Sequence, residues 1–287
     1  MLTTVIVIFG IIALMTVVLN LLVIVAVLRD PLKKLRNMFS YLLLHLCVCN
    51  FIDGAVSLPV YMYSLTKSRL RQAPPLSSTT LVTHSIYAAT IFSTFSLSVD
   101  RYVAICYPIY HRSNSSIKNV AFHVLGIWLC VFVEFIGYYF WGVRFRNGFQ
   151  ILTFTAMVVA VSFMYFRIRS VFNYHNHQEG VGDKNESLLL SSQSMIEERG
   201  KNERAILNTC KVIIGLQLIT WLPILLVNCS EMLKPSLQYR ELVLAICIAN
   251  ILSSIGHLTD PLVCILLLKN FKQSIKCLFV RNENQKQ

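Results

Sequence analysis

The sequence predicts an all-α fold: a seven-transmembrane helix bundle closed by a short amphipathic C-terminal surface helix. Three observations lead there. The 287 residues are 55% hydrophobic and 14% charged, with a mean hydropathy of +0.59, whereas a soluble domain carries about a quarter charged residues. Uncharged apolar stretches recur along nearly the whole chain, each close to the ~20 residues a helix needs to cross a hydrocarbon core. The net charge of +12 sits in hydrophilic connectors and forms no continuous stripe, which argues for membrane topology and against a nucleic-acid partner.

Spans are read at 4–28, 40–63, 81–106, 119–143, 149–172, 205–229 and 242–268. The first opens without a basic n-region and a small-residue cleavage site, so it is expected to serve as its own targeting signal. Arg29, Lys33, Lys34 and Arg36 follow the first span, Arg112 and Lys118 the third, and Lys269, Lys272, Lys276 and Arg281 the seventh. The positive-inside bias makes that face cytoplasmic, with the N-terminus outside and the C-terminus inside at the plasma membrane. The opposite face has Lys67, Arg69, Arg71, Arg144, Arg146, Lys234 and Arg240. Residues 173–204, rich in Ser, Glu, Asn and Gly, are too polar to bury and are expected to form a mobile cytoplasmic loop. After 268, LKNFKQSIKCLF puts Phe271, Ile275 and Leu278 on one face and Lys272 and Lys276 on another, a helix lying on the bilayer. The organisation is therefore a transmembrane domain over 1–268 and a surface helix with a short tail over 269–287. The nine cysteines form neither a disulfide framework nor a metal pattern, and no internal repeat suggests a transporter.

Several residues carry more than topology. Asp100, Arg101 and Tyr102 end the third span, with Pro108 a few residues on, and a charged pair at that depth needs partners or a wet mouth. The sixth span carries ITWLP, in which Pro223 removes a backbone hydrogen bond and kinks the helix beside Trp221. A proline kink with a packed aromatic is the plainer alternative. Asn20, Trp128, and Asp260 with Pro261 complete a pattern that resembles the rhodopsin-like G protein-coupled receptor family from Asn20 to Phe271.

In that family Asp100–Tyr102 resembles the DRY motif, ITWLP the CWxP motif, and Asp260–Cys264 the DPxxY form of NPxxY. The resemblance implies no enzyme and no cofactor. It implies a receptor that passes an extracellular signal from a small molecule, lipid or peptide to a heterotrimeric G protein. Asp100, Arg101, Tyr102, Tyr165 and Glu203 would form the coupling switch, with a resting Arg101–Glu203 ion pair and Pro223 and Pro261 as helix kinks. Ligand contacts would favour an outward-swung sixth helix, so that signalling is a population shift. A non-signalling seven-helix protein, a decoy receptor or a transporter, is the alternative.

Departures from the pattern narrow the reading. Asn50 stands where the family has a second-span aspartate, and the seventh span has the carboxylate instead, at Asp260. Asn20, Asn50, Thr90 and Asp260 are expected to form a polar core, and no metal is assigned, since the displaced acid puts the family's sodium site in question. Asp53 supplies another acid or packs as a satisfied helix residue. Cys264 replaces the tyrosine whose hydroxyl would reach Tyr165 through water, Met157 replaces a proline, and the usual outer disulfide is missing. The missing disulfide, the short outer loop WGVRFRNG, Met157 and the Asp260–Pro261 pair together resemble the melanocortin, cannabinoid, lysophospholipid and adenosine group, melanocortin receptors most.

For the ligand, the resemblance gives a pocket floored by Trp221 and walled by Thr83, Tyr87, Leu225, Asn228 and Ser254. Thr83 stands where amine receptors carry an aspartate, and Ser254 where opsins carry a lysine, so neither an amine nor retinal is expected. Asn228 resembles the purine-binding asparagine of adenosine-like receptors, but a helix-end residue facing solvent is the plainer reading and is preferred. Trp128 is expected to donate to His45, and Glu134 to require a partner that the sequence does not name. His45, His84, His123 and His257 are scattered and form no hydrolase motif. Cys277 is either palmitoylated or a free thiol, and loop phosphorylation would fall on Ser187, Ser191, Ser192 or Ser194.

Overall fold

The computed structural model describes the backbone of residues 2–69, 78–179, 190–233 and 239–284, with the side chains of 3–66, 83–171, 205–230, 232 and 244–279. Among these residues there is no strand. Helix α1 (Leu2–Arg29) shows the solvent for which the chain is built. Val7, Ile11, Leu14, Val18, Leu21, Val25 and Leu28 are all exposed, and their steps of three and four residues draw one stripe along the helix. On the other side Phe9, Thr16, Asn20 and Val23 are fully buried. An apolar outside around a partly polar inside suits a bilayer, where lipid solvates leucine and the polar groups must find each other.

The turn after α1 is drawn tight by Asp30, which sits at φ 32 with Lys33 at φ 53. Its Oδ1 accepts from the Lys34 and Leu35 N–H groups at 3.0 and 3.1 Å, and its Oδ2 lies 3.6 Å from Arg36. Asn37 then caps α2 (Met38–Ile52) by accepting from the Ser40 N–H at 2.9 Å. Helix α2 passes through a π-helical turn, Asp53–Ser57, into α3 (Leu58–Arg69). Pro59 has no N–H to give and its ring crowds the carbonyl four residues back. The preceding N–H, that of Leu58, reaches the Asp53 carbonyl five residues back. The extra residue turns Asp53, Gly54 and Ser57 together into the bundle, all of them buried. Gly54 lets α1 pack directly on this turn: a Cβ there would lie 3.0 Å from the Ala13 carbonyl oxygen and 3.1 Å from Val17 Cγ2.

Helix α4 (Ser78–Cys106) runs through the centre against α2, α6 and α7. It buries Thr90, Ser93, Thr94 and Ser98. Each hydroxyl bonds the carbonyl four residues earlier at 2.6 to 3.0 Å, so small polar residues allow close helix packing without orphaned donors. A short helix, α5 (Pro108–Asn114), begins with proline at its first turn. The 63 residues of α6 (Ile117–Glu179) hold two spans, divided at Gly142 with φ 70 and ψ −157, since unbroken they would reach ~95 Å, about three bilayer cores. Helices α7 (Leu190–Leu233) and α8 (Tyr239–Leu267) pack on each other, and α9 (Lys269–Asn284) packs against α1 and α8.

Five stretches are long and apolar enough to cross a membrane, among them Ile117–Val171. With that stretch halved at Gly142 and with the serine- and threonine-rich α4, they account for the seven spans expected. Phe271, Ile275 and Leu278 of α9 face the bundle core, as their spacing required. The 173–204 connector departs from expectation: it is helical to Glu179 and again from Leu190. Its polarity forbids burial but not helix formation, because Glu, Gln, Lys and Arg are good helix formers. Residues 180–189, with Ser187, lie outside the described residues, as do the side chains of Ser191, Ser192 and Ser194.

Replacing Gly54 by leucine should overpack the α1 contact, destabilising the protein by ~1–3 kcal/mol. The melting temperature of purified Gly54→Leu is expected to fall by several degrees, while Gly126→Ala, with nothing within 4 Å of the added Cβ, should leave it unchanged.

Candidate functional site

One end of the bundle holds a pocket lined by Tyr87, Gln150, Trp221, Leu225, Asn228 and Ser253, with Ile91, Phe154 and Ile224 as further apolar wall. Four of the six expected pocket residues line it. Thr83 is buried but does not, and Ser254 turns back to bond its own Asn250 carbonyl at 2.8 Å. Ser253 takes that place, because a helix advances 100° per residue and one step moves a side chain to another face. Asn228 does not face solvent: it is 4% exposed and donates to Gln150 Oε1 at 3.0 Å.

Gln150 is the residue that sequence reasoning missed. Its Nε2 donates to Glu134 Oε1 at 2.8 Å and lies 3.1 Å from His84 Nδ1. This amide is the partner that Glu134 required, and it joins both halves of α6 to α4 and α7. One turn below, the ring of His257 stacks on Trp221 at 5.9 Å and 27° and meets the edge of Tyr87 at 5.4 Å. Its Nδ1 is 3.3 Å from Asp53 Oδ2, both side chains fully buried. Asp53 therefore has a basic neighbour rather than a plain packing role, and the Pro59 bulge was the signal that could have placed it inward.

The middle of the bundle brings Asn20, Asn50, Thr90 and Asp260 together. Asn50 Nδ2 donates to Asp260 Oδ2 at 3.0 Å, Thr90 donates to Asn50 Oδ1 at 3.4 Å, and Asn20 Nδ2 reaches the His257 carbonyl at 3.3 Å. Gln217 of α7 adds a second bond to Asp260 Oδ2 at 3.0 Å, which the sequence reading did not foresee. Trp128 donates to His45 Nε2 at 3.2 Å, and His45 Nδ1 faces Ser93 Oγ at 2.9 Å.

At the opposite end of the bundle, Arg101 is 7% exposed. Its Nε donates to Asp100 Oδ2 at 2.9 Å, its Nη2 pairs with the same oxygen, and its guanidinium lies 5.0 Å over the Phe39 ring. Asp100 Oδ1 takes His111 Nε2 of α5 at 2.9 Å, so the carboxylate ties the central helix to the short helix after it. The side chain of Glu203 lies outside the described residues. Tyr102 packs against Tyr107. The Tyr165 hydroxyl is buried and has no hydrogen-bond partner among the described residues, and Cys264 is fully buried among apolar side chains.

Residues 19–147 match the family described as 7 transmembrane receptor (rhodopsin family). Over those 129 of its 287 residues the chain is similar to this family. It is similar to the histamine H1 receptor of Pongo pygmaeus, 30% identical over 147 residues, which cover 51% of this chain and 30% of that protein. It is similar also to the histamine H1 receptor of Homo sapiens, 31% identical over 129 residues, or 45% of this chain and 26% of that protein. The match thus spans about a third or less of these relatives' own length. The family is one of receptors rather than enzymes, and the chain is a multi-pass membrane protein. Within the matched stretch fall Asn20, Asn50, Asp53, Thr90 and the Asp100–Arg101 pair, the part of the bundle where α1, α2 and α4 meet.

Replacing Asp260 by alanine strands the amides of Gln217 and Asn50 in a dry interior, at ~1–3 kcal/mol for each unsatisfied group. A clear drop in melting temperature is expected for Asp260→Ala. The double variant Asp260→Ala, Gln217→Leu should recover part of it.

Proposed function

We propose that the chain is a G protein-coupled receptor of the plasma membrane, its N-terminus outside and its C-terminus in the cytoplasm. The observation that carries this reading is the buried Asp100–Arg101 pair at the inner end of the central helix, held by the half-buried His111. A charged cluster is expensive there, and its expense is understandable as a switch: Arg101 rests folded on Asp100 and Phe39, and becomes available when its neighbours move. Above it, Trp221, His257 and the Asp260 network form a continuous column from the outer cavity. A ligand pressing on Trp221 would bias α7, kinked at Pro223, to swing outward and open a cytoplasmic cleft for the G protein's C-terminal helix. Arg101 then turns toward Tyr165, whose unpartnered hydroxyl is ready to receive it. In the resting state Glu203 adds a second hold on Arg101.

The ligand class follows from the cavity. Among the described residues its lining has no carboxylate, and Thr83 stands where an amine-pairing aspartate would be, so the relatives' histamine does not carry over. A small molecule, lipid or peptide end with an apolar body and one or two amide-bonding groups fits Gln150 and Asn228.

Basal nucleotide exchange measured across G protein subtypes in cells tests this. Arg101→Ala at matched surface level should lower it 5- to 150-fold, the range of a ~1–3 kcal/mol coupling. Asp100→Asn, which releases the arginine, should raise it, and so should Glu203→Ala. No exchange in any variant despite surface expression would overturn the signalling reading in favour of a decoy.

A further inference from the structure

A second pocket, open to its surroundings, lies at the inner end of the bundle, away from the Trp221 pocket. It lies where the turn after α1, the start of α2, the inner part of α7 and the α8–α9 junction meet. Its lining has two lysines, Lys34 and Lys269, and two amides, Asn37 and Asn270, beside an apolar side formed by Phe39, Ile206 and Phe271. No acidic residue lines it among the described residues. The acid of the same turn, Asp30, is already engaged by the Lys34 and Leu35 N–H groups and by Arg36.

Two further features point to an anion. The first turn of α9, Lys269 to Phe271, forms part of the lining, so the positive end of a 16-residue helix faces the cavity. Ser40 also lines it, and its hydroxyl is buried with no hydrogen-bond partner. The residue is 1% exposed, and a buried hydroxyl left without an acceptor is costly unless a guest supplies one. Phe39, Ile206 and Phe271 give a guest's non-polar part a surface to lie on, and α9 has Lys272, Lys276 and Phe279 turned outward, as on a membrane surface.

We propose that this cavity binds an acidic phospholipid of the inner leaflet. The phosphate lies against Lys34, Lys269 and the α9 N-terminus and accepts from Ser40, and the glyceryl and acyl portion lies along Ile206 and Phe271. This rests on the membrane orientation given above for the inner face. The lipid would bridge Ala205 and Ile206 of α7 to the α8–α9 junction, and so hold closed the end of α7 that swings outward. Its chemistry differs from that of general attraction between a basic surface and a charged bilayer, because it needs the cavity and not only the charge.

The test uses the purified full chain, with retention of dioleoyl phosphatidate against dioleoyl phosphatidylcholine counted by native mass spectrometry. It does not depend on signalling, so a failure here and a failure of G protein coupling are distinguishable. Lys34→Gln and Lys269→Gln should each weaken phosphatidate retention about 5-fold, from ~1 kcal/mol per lysine. Ser40→Ala, which removes no charge, should weaken it by about tenfold, as for a bond to an ionised group. Lys276→Gln, the same charge loss off the cavity, should leave retention unchanged, and all four variants should melt within a degree or two of the parent in phosphatidylcholine. Equal losses in Lys276→Gln and Lys34→Gln would overturn the site in favour of diffuse surface charge. Binding of glycerol 3-phosphate as tight as that of phosphatidate would overturn the lipid in favour of a free anion.

Discussion

The carboxylate of Asp260 is the point from which the interior is organised. It is fully buried in a protein whose surroundings are hydrocarbon, and such a group persists only if donors converge on it. Asn50 comes from α2 and Gln217 from α7, both at 3.0 Å, while Asn20 of α1 and Thr90 of α4 extend the same set. Five helices thereby share one polar centre. Apolar packing cannot fix the relative register of helices that lipid solvates equally well on every side. A directional bond to a buried oxygen can, and this is how a bundle with an apolar exterior acquires a single arrangement.

The same network explains why the candidate site is continuous along the membrane normal. Above it, His257 places its ring on Trp221 and its Nδ1 beside Asp53. Below it, α4 continues to the Asp100–Arg101 pair. Each layer shares a helix with the next, so movement of α7 at Trp221 cannot occur without altering the Gln217 bond to Asp260. Cys264 interrupts one branch of the column: where a tyrosine hydroxyl would serve the Tyr165 side, a thiol packs among apolar residues. In the proposed switch Arg101 would therefore lean more on Asp100 and Phe39 than the family pattern implies.

Much of this was legible in the sequence. Periodicity and the length of apolar runs identified α1, α8 and α9 to within a few residues, because a helix in lipid displays its pattern on every turn. The polar core residues Asn20, Asn50, Thr90 and Asp260 were legible as isolated polar groups in apolar spans, since each is expensive unless it has a role. Gln217, Gln150 and His257 were less so. Amides and imidazoles inside helices are common enough to pass as packing, and their partners lie tens to hundreds of residues away. The inner cavity was invisible, because Lys34 and Lys269 read as ordinary loop charges until the fold set them on one rim.

The chain alone determined that the solvent is lipid, that seven helices cross it, and which turns of those helices carry polar side chains, because each follows from local composition and the 1.5 Å rise of a helix. The tertiary structure alone decided which polar groups meet. The π turn ahead of Pro59 rotates Asp53 toward His257, and one step along α8 exchanges Ser254 for Ser253 at the cavity. Gln150, across the break at Gly142, satisfies Glu134. Such choices depend on angles of about 100° per residue between helices that are distant in sequence, and no local pattern encodes them.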